Sequence, residues 1–247
     1  NMTPLQADVL AAFRFAMQES FDKNPADVNF RSTYRIWRFI RGLALTPKGS
    51  FQLALKHMRD ACAFRKERNA ATISAELMET EMKLEDTPYH DLVCSVYPTL
   101  FLSSHLDKEG HPIVINQLGM SDPTNLVEGK LTDDQAIEYF VRMAEMRFLK
   151  VDAMSEERQR LVRALIIQDL HGLSMKHIAS GPRRFIKMFI NIMSNNFPEI
   201  MYKICVINAP WAFTAAWALV KPLLPERTVK KVVICGADYK SELLKLI

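Results

Sequence analysis

One stretch of the chain gathers the residue types of nucleophilic catalysis: Asp169-Leu-His171-Gly172-Leu-Ser174 follows an apolar run at 161–168. An acid, an imidazole and a hydroxyl could carry out acyl transfer, and the C-terminal end of a strand is where α/β proteins often place chemistry. Three relay members within six residues cannot easily reach one another in relay geometry, however. The better reading is structural: Asp169 ends the strand, Gly172 makes the turn and Ser174 caps the next helix. The other signatures of chemistry are missing from the sequence. There is no G-x-S-x-G elbow, no G-x-G-x-x-G or G-x-x-x-x-G-K-[ST] phosphate loop and no H-E-x-x-H. Cys62, Cys94, Cys205 and Cys235 contain no C-x-x-C pair, so neither a structural zinc site nor any other metal site is expected. His57, His90, His105 and His177 read as surface or half-buried residues.

The elements that position these residues change in character along the chain. The first eighty residues are helical. A stripe of Leu5, Val9, Ala12, Phe13 and Ala16 predicts a helix over 5–20. Another is expected over 33–41, ended by Gly42. A long one, capped at Thr46-Pro47 and carrying Phe51, Leu55, Met58, Cys62 and Phe64, runs to about 68. A short helix capped by Thr72 follows. After about residue 86, strand formers at 99–106 and 112–118 flank the turn Asp107-Lys-Glu-Gly110 and predict a hairpin. Helices are expected over 132–154 and 174–195, the second bent at Gly181-Pro182, buried strands over 161–168 and 204–207, and a further strand over 232–235. A final helix covers 239–246. Strands separated by helices require crossovers, and the hairpin adds antiparallel pairing. The fold class is therefore α/β with a mixed, mostly parallel sheet.

The 247 residues are 49% hydrophobic and 24% charged, with 8 Gly and 12 Pro, which excludes intrinsic disorder. A net charge of +4 is too small to argue for nucleic acid. The charge is concentrated: residues 1–70 hold twelve basic and six acidic side chains, read as a solvated helical surface. The N-terminal segment carries Asp8 and Arg14 within its apolar stretch and does not read as a signal peptide. The stretch 204–224 has one charge, Lys221, yet Asn208-Ala-Pro210 and Lys221-Pro222 break it, so a membrane span is rejected in favour of a strand and a helix. That helix, Trp211 to Val220, has no charged face. It must be fully buried or face something other than water.

The segment from Asn196 onward supplies an explanation. Phe197-Pro198-Glu199, Ile207-Asn208-Ala209-Pro210, Lys221-Pro222-Leu223-Leu224 and Thr228-Val-Lys-Lys231 occur in an order and spacing that resemble the CRAL-TRIO lipid-binding family, and within it the fungal phosphatidylinositol/phosphatidylcholine transfer proteins. Asp169-Leu-His-Gly172 resembles that family's D-L-x-G turn, and Asp107-Lys-Glu-Gly-His-Pro112 its D-x-x-G-R-P hairpin. Phe39-Ile-Arg41 and Phe64-Arg-Lys66 resemble elements of its helical N-terminal domain. The resemblance covers about residues 33–247.

It implies a helical N-terminal lobe (1–85) and a lipid-binding domain (86–247) whose mixed sheet floors an apolar pocket under a helical gate. Trp211, Phe213, Trp217, Leu219, Val220, Leu223 and Leu224 would form the gate, which answers the puzzle of the uncharged helix. Burying an acyl chain, at about 0.8 kcal/mol per methylene, would offset withdrawing a lipid from its membrane. The resemblance implies headgroup binding by Glu199, Thr228 and Lys231: a cation for phosphate, a hydroxyl donor and an acceptor for inositol hydroxyls. The family's basic pair after F-L-R-A falls on Leu43-Ala44, leaving Arg41 as the nearby cation. Its phosphatidylcholine positions fall on Ser103, Val114, Ala164 and Ile166, which speaks against phosphatidylcholine.

The expected function is a non-enzymatic lipid carrier without cofactor: a cytoplasmic monomer in transient contact with membranes, its ligand a phosphatidylinositol-type lipid. The alternatives are a lipid-sensing regulatory module, or a carrier of a sterol, tocopherol-like or retinoid molecule. Family members usually continue beyond the position of Ile247 with another strand and a tail.

Overall fold

The computed structural model describes residues 3–80, 83–122, 130–211, 213–235 and 239–247. They divide into two compact units, neither continuous in the chain: 1–84 with 141–162 and 195–200, and 85–140 with 163–194 and 201–247.

The first unit is helical. Helix α1 (Pro4–Asp22) opens with a Thr3/Gln6 capping box and buries Phe13, Met17 and Phe21, while Leu5 of the expected stripe stays exposed. Helix α2 (Thr33–Phe39), capped by Ser32, runs straight into a π-helical turn, Ile40–Ala44, so Gly42 lies within the turn and does not end the helix. Helix α3 (Phe51–Glu67) is capped by the Ser50 hydroxyl, which accepts from the Leu53 N–H at 3.0 Å; Thr46-Pro47 lies in the preceding turn. Helix α4 (Ala70–Glu79) starts after Asn69, held at φ 52°, two residues before the expected cap. Phe13, Met17, Phe30, Ile36, Phe39, Leu55 and Met58 form the core between α1, α2 and α3, with Phe30 and Phe39 edge to face at 5.7 Å.

Beneath that apolar core lies an ionic one. Arg35 and Arg38 both donate to Asp152, at 2.7 and 2.9 Å. Arg65 donates to both oxygens of Asp27 (2.6 and 2.8 Å) and forms an ion pair with Glu145. Glu145 and Asp152 belong to α6 (Asp133–Arg158), whose residues from 141 onward pack in this unit. The basic N-terminal third is thus not simply a solvated surface, because Arg35, Arg38 and Arg65 are buried against carboxylates. A charge count along the sequence could not show this, since the partners are as many as 117 residues away.

The second unit is built on a five-stranded sheet in the order β1 (Thr99–Leu106), β2 (Pro112–Gln117), β3 (Ala164–Asp169), β4 (Met201–Ile207), β5 (Val232–Ile234). The β1–β2 pair is antiparallel and all later pairs are parallel. The hairpin turn is set by Asp107, whose carboxylate accepts from the N–H groups of Glu109 and His111 (3.0 and 2.7 Å), and by Gly110 at φ 78°. Helix α5 (His90–Val96) precedes the sheet. Helix α7 (Ser180–Asn196) takes Gly181-Pro182 into its first turn, where proline lacks no helical partner, so the dipeptide starts the helix and does not bend it. The apolar stretch 204–224 divides, as expected, into a strand, β4, and a helix, α8 (Phe213–Val220), and no helix among the described residues is long and apolar enough to cross a membrane. A 3₁₀ turn (Lys221–Leu223), α9 (Glu226–Val229) and α10 (Tyr239–Leu243) complete the unit.

Alternation along the strands gives the sheet two apolar faces. On the back face, Ile113, Leu165, Ile167, Cys205 and Cys235 are covered by Tyr239, Leu243 and Leu246. The front face presents Val114, Ala164 and Ile166, with Phe101, Met201 and Ile204 beside them.

Candidate functional site

In the first unit, Arg41 rises from the π-helical turn, its side chain 48% exposed, with Nε 3.9 Å from Glu199 Oε2. Glu199 ends the Phe197-Pro198-Glu199 turn at φ 56°, a left-handed conformation that is uncommon for a side chain of its size. Two contacts hold it there. Phe197 is buried edge to face on Phe148 at 5.3 Å, and Arg38 donates to the Glu199 carbonyl at 2.8 Å. The structure therefore brings together the cation and the carboxylate that the resemblance singled out. It adds Arg38, a residue sequence reasoning passed over, as the group that fixes the turn.

In the second unit, Thr228 and Lys231 share one turn. The Lys231 N–H donates to the Thr228 carbonyl at 3.0 Å, and the Lys231 carbonyl accepts from Ile204 N at 2.9 Å, which ties the turn to β4. Thr228 is buried. Lys231 Nζ donates to the carbonyl of Met201 at 2.9 Å, so the ammonium lies at the start of β4. The chemistry on offer is the half-buried ammonium of Lys231, a cation suited to a phosphate oxygen.

The Asp169-to-Ser174 segment has the structural role expected of it. Asp169 Oδ1 accepts from the His171 N–H (2.9 Å) and from Asn208 Nδ2 (2.8 Å), locking the Ile-Asn-Ala-Pro end of β4 to the end of β3. Gly172 turns at φ 81°, and Ser174 caps a 3₁₀ turn over Met175–Ile178. The histidines set aside in the sequence have partners in the fold, and His105 Nδ1 lies 3.3 Å from the Ser104 hydroxyl. His177 is buried against Ser174 and the Ser121 carbonyl, and His90 Nδ1 lies 3.2 Å from the Tyr139 hydroxyl.

The gate residues are placed as follows. Trp211 is 83% exposed, residue 212 lies outside the described residues, and α8 begins at Phe213, whose ring stacks on Trp217 at 6.0 Å. Ala216 is the buried residue of α8, while Leu219 and, in the following turn, Leu223 are exposed. Val220 and Leu224 are half-buried. An uncharged helix that is mostly accessible, preceded by an exposed indole, has apolar surface that water does not favour.

A mixed sheet with a helical unit beside it in sequence and a charge-free helix after its fourth strand defines a class of α/β binding protein. Residues 99–247 match the CRAL/TRIO domain family, and the chain belongs to that family. The Sec14 cytosolic factor of Schizosaccharomyces pombe is 35% identical over 159 residues, 64% of this chain and 54% of that protein. The phosphatidylinositol/phosphatidylcholine transfer protein SFH12 of Arabidopsis thaliana is 30% identical over 187 residues, 74% of this chain and 32% of that protein. The chain thus spans between a third and just over half of the length of these relatives. Among solved structures, that of Sfh5 superposes over 97% of this chain and 83% of its own with a TM-score of 0.64 at 15% identity, a likeness of fold.

Proposed function

We infer that the protein is a lipid carrier that acts without catalysis, holding the apolar part of one lipid against the front face of its sheet and exchanging it at membrane surfaces. The observation that carries this reading is α8: eight residues without a charge, largely accessible, in a chain belonging to the CRAL-TRIO family. Such a helix is stable in water only as the cover of something apolar or as an element that docks on a bilayer, and a gate does both.

The ligand class follows from the polar residues. Lys231 with Thr228, and Arg41 with Glu199, suit a phosphorylated polyol, and relatives named as phosphatidylinositol/phosphatidylcholine transfer proteins support that choice. Phosphatidylcholine is disfavoured, because Val114, Ala164 and Ile166 stand buried and apolar where the family places hydroxyls for it. Membrane contact is transient and made through Trp211, Leu219 and Leu223. The carrier works as a cytoplasmic monomer and needs no cofactor.

Transfer of fluorescent phosphatidylinositol from donor to acceptor vesicles tests the reading. The carrier accelerates transfer in proportion to its concentration. Vesicle binding without acceleration would point instead to a lipid-sensing module.

A further inference from the structure

The front face of the sheet is built in rows that cross every strand. One row is Phe101, Val114, Ile166, Ile204 and Val232, each in register with the next, and it is wholly apolar. Two residues further toward the C-terminal ends of the parallel strands, the next row on the same face is Thr99, Asn116, Gln168, Val206 and Ile234. Its first three members are polar and bonded in sequence. Thr99 Oγ1 donates to Asn116 Oδ1 at 2.7 Å, and Asn116 Nδ2 donates to Gln168 Oε1 at 3.2 Å.

The series stops there. Gln168 Nε2 is buried and has no hydrogen-bond partner among the described residues, and the next residue in the row, Val206, offers no side-chain acceptor. A primary amide carries two donors, and enclosing them without an acceptor is unfavourable. Bonds aligned from the Thr99 hydroxyl toward the amide strengthen its donor end. Apolar neighbours make a charged acceptor costly, because the row contains no cation to accompany it.

We propose that Gln168 Nε2 is a ligand-binding donor, and that the lipid carried on this face bears a neutral acceptor oxygen within its apolar part. This rests on the carrier reading and narrows its ligand. Position decides which oxygen. Lys231 is anchored at Met201, while Gln168 pairs with Val206, five residues along β4 and so about 16 Å away at strand rise. That span is too long for the ester carbonyls of a lipid whose phosphate sits at Lys231. It fits a hydroxyl or oxo group partway along an acyl chain, or the single oxygen of a sterol-like ligand that does not use Lys231 at all.

Competitive binding read by native mass spectrometry tests this with two pairs of probes. One is phosphatidylinositol carrying a mid-chain hydroxylated acyl chain against its unsubstituted counterpart. The other is a 3-keto sterane against the parent hydrocarbon. The oxygenated member of at least one pair is expected to bind roughly tenfold better, the effect of one buried hydrogen bond. Gln168→Leu should erase that preference while the plain member still binds. Preference in the first pair whose retention requires Lys231 identifies an oxygenated acyl chain; preference in the second pair that survives Lys231→Ala identifies a sterol-like ligand. Equal binding within both pairs overturns the proposal and leaves the carrier reading standing. No binding of any of the four defeats the carrier reading, and the proposal with it. In the wild-type protein, the Gln168 side-chain amide protons should shift downfield with an oxygenated probe and not with a plain one, a readout independent of how the variant folds.

Discussion

Arg65 grips Glu145 through two guanidinium nitrogens in a site from which both side chains are excluded from water, and the Ser74 hydroxyl donates to the same carboxylate at 2.8 Å. Burial alone would push the Glu145 carboxyl up. The charges of Arg65 and Arg35, with the bonds from Arg65 and Ser74, outweigh it and hold the group below the ordinary carboxylate range. Removing one partner leaves an uncompensated buried charge, so Glu145→Gln should cost about 3–5 kcal/mol in urea denaturation. Replacing Glu145, Arg65 and Asp27 together with apolar residues of similar volume should recover much of that loss, since Arg65 also neutralises buried Asp27.

The same pair sets an acid limit. A carboxyl whose folded value is depressed stabilises the fold fully above its unfolded value of about 4.3, and the contribution is lost as pH falls through the folded value. The urea midpoint should hold from pH 7 down to about 5 as far as this group is concerned, then decline with acidification. In Glu145→Gln the acid decline should be shallower, and an identical slope would remove Glu145 from the account.

Gly119 presses on the turn after β3. A methyl group there would stand 1.9 Å from the His171 carbonyl oxygen and 2.5 Å from Leu173 N, both of them backbone atoms that cannot swing aside. Gly119→Ala should lower stability by more than about 2 kcal/mol, measured as a fall in Tm. An unchanged Tm would mean the turn is free to move.

Trp211, exposed ahead of α8, should enter the interfacial layer of vesicles. In a Trp217→Phe background, where the other remaining indole is buried Trp37, its emission should shift to the blue on vesicle addition. Trp211→Ala should weaken vesicle association several-fold with the thermal melt unchanged. Undiminished association would assign the membrane contact to another surface.

Lys231→Ala should slow phosphatidylinositol transfer at least tenfold, in line with the loss of a charge-assisted hydrogen bond to phosphate. Lys231→Arg should restore part of it. Equal transfer by all three proteins would remove Lys231 from the headgroup site.

Much of the fold was legible because it is written in local signals. The hairpin follows from Asp107 and Gly110, whose turn chemistry needs no distant partner. The crossovers follow from strands and helices that alternate in the sequence, and β4 and α8 from the breaks at Asn208-Ala-Pro210 and Lys221-Pro222. Helix ends were less legible. Ser50, and not Thr46, caps α3, and the π-turn at Ile40–Ala44 overrides the stop signal of Gly42.

The candidate site was legible only in part, for the same reason. The Phe-Pro-Glu turn and the Thr-to-Lys231 turn are local motifs. The buried ion cluster and the Thr99–Asn116–Gln168 ladder join residues that are adjacent only across the fold. Asn116 and Gln168 did leave a trace, as polar residues inside otherwise apolar strands. Their register, and with it their bond, becomes visible only once β2 and β3 are paired.

The central claim is that one lipid travels with this chain, and native mass spectrometry of the protein after incubation with mixed phospholipid vesicles tests it most directly. The account predicts a single species heavier than the 28.3 kDa chain by the mass of one lipid, which dissociates intact on activation. The bare chain mass alone, with every vesicle lipid left behind, would contradict it.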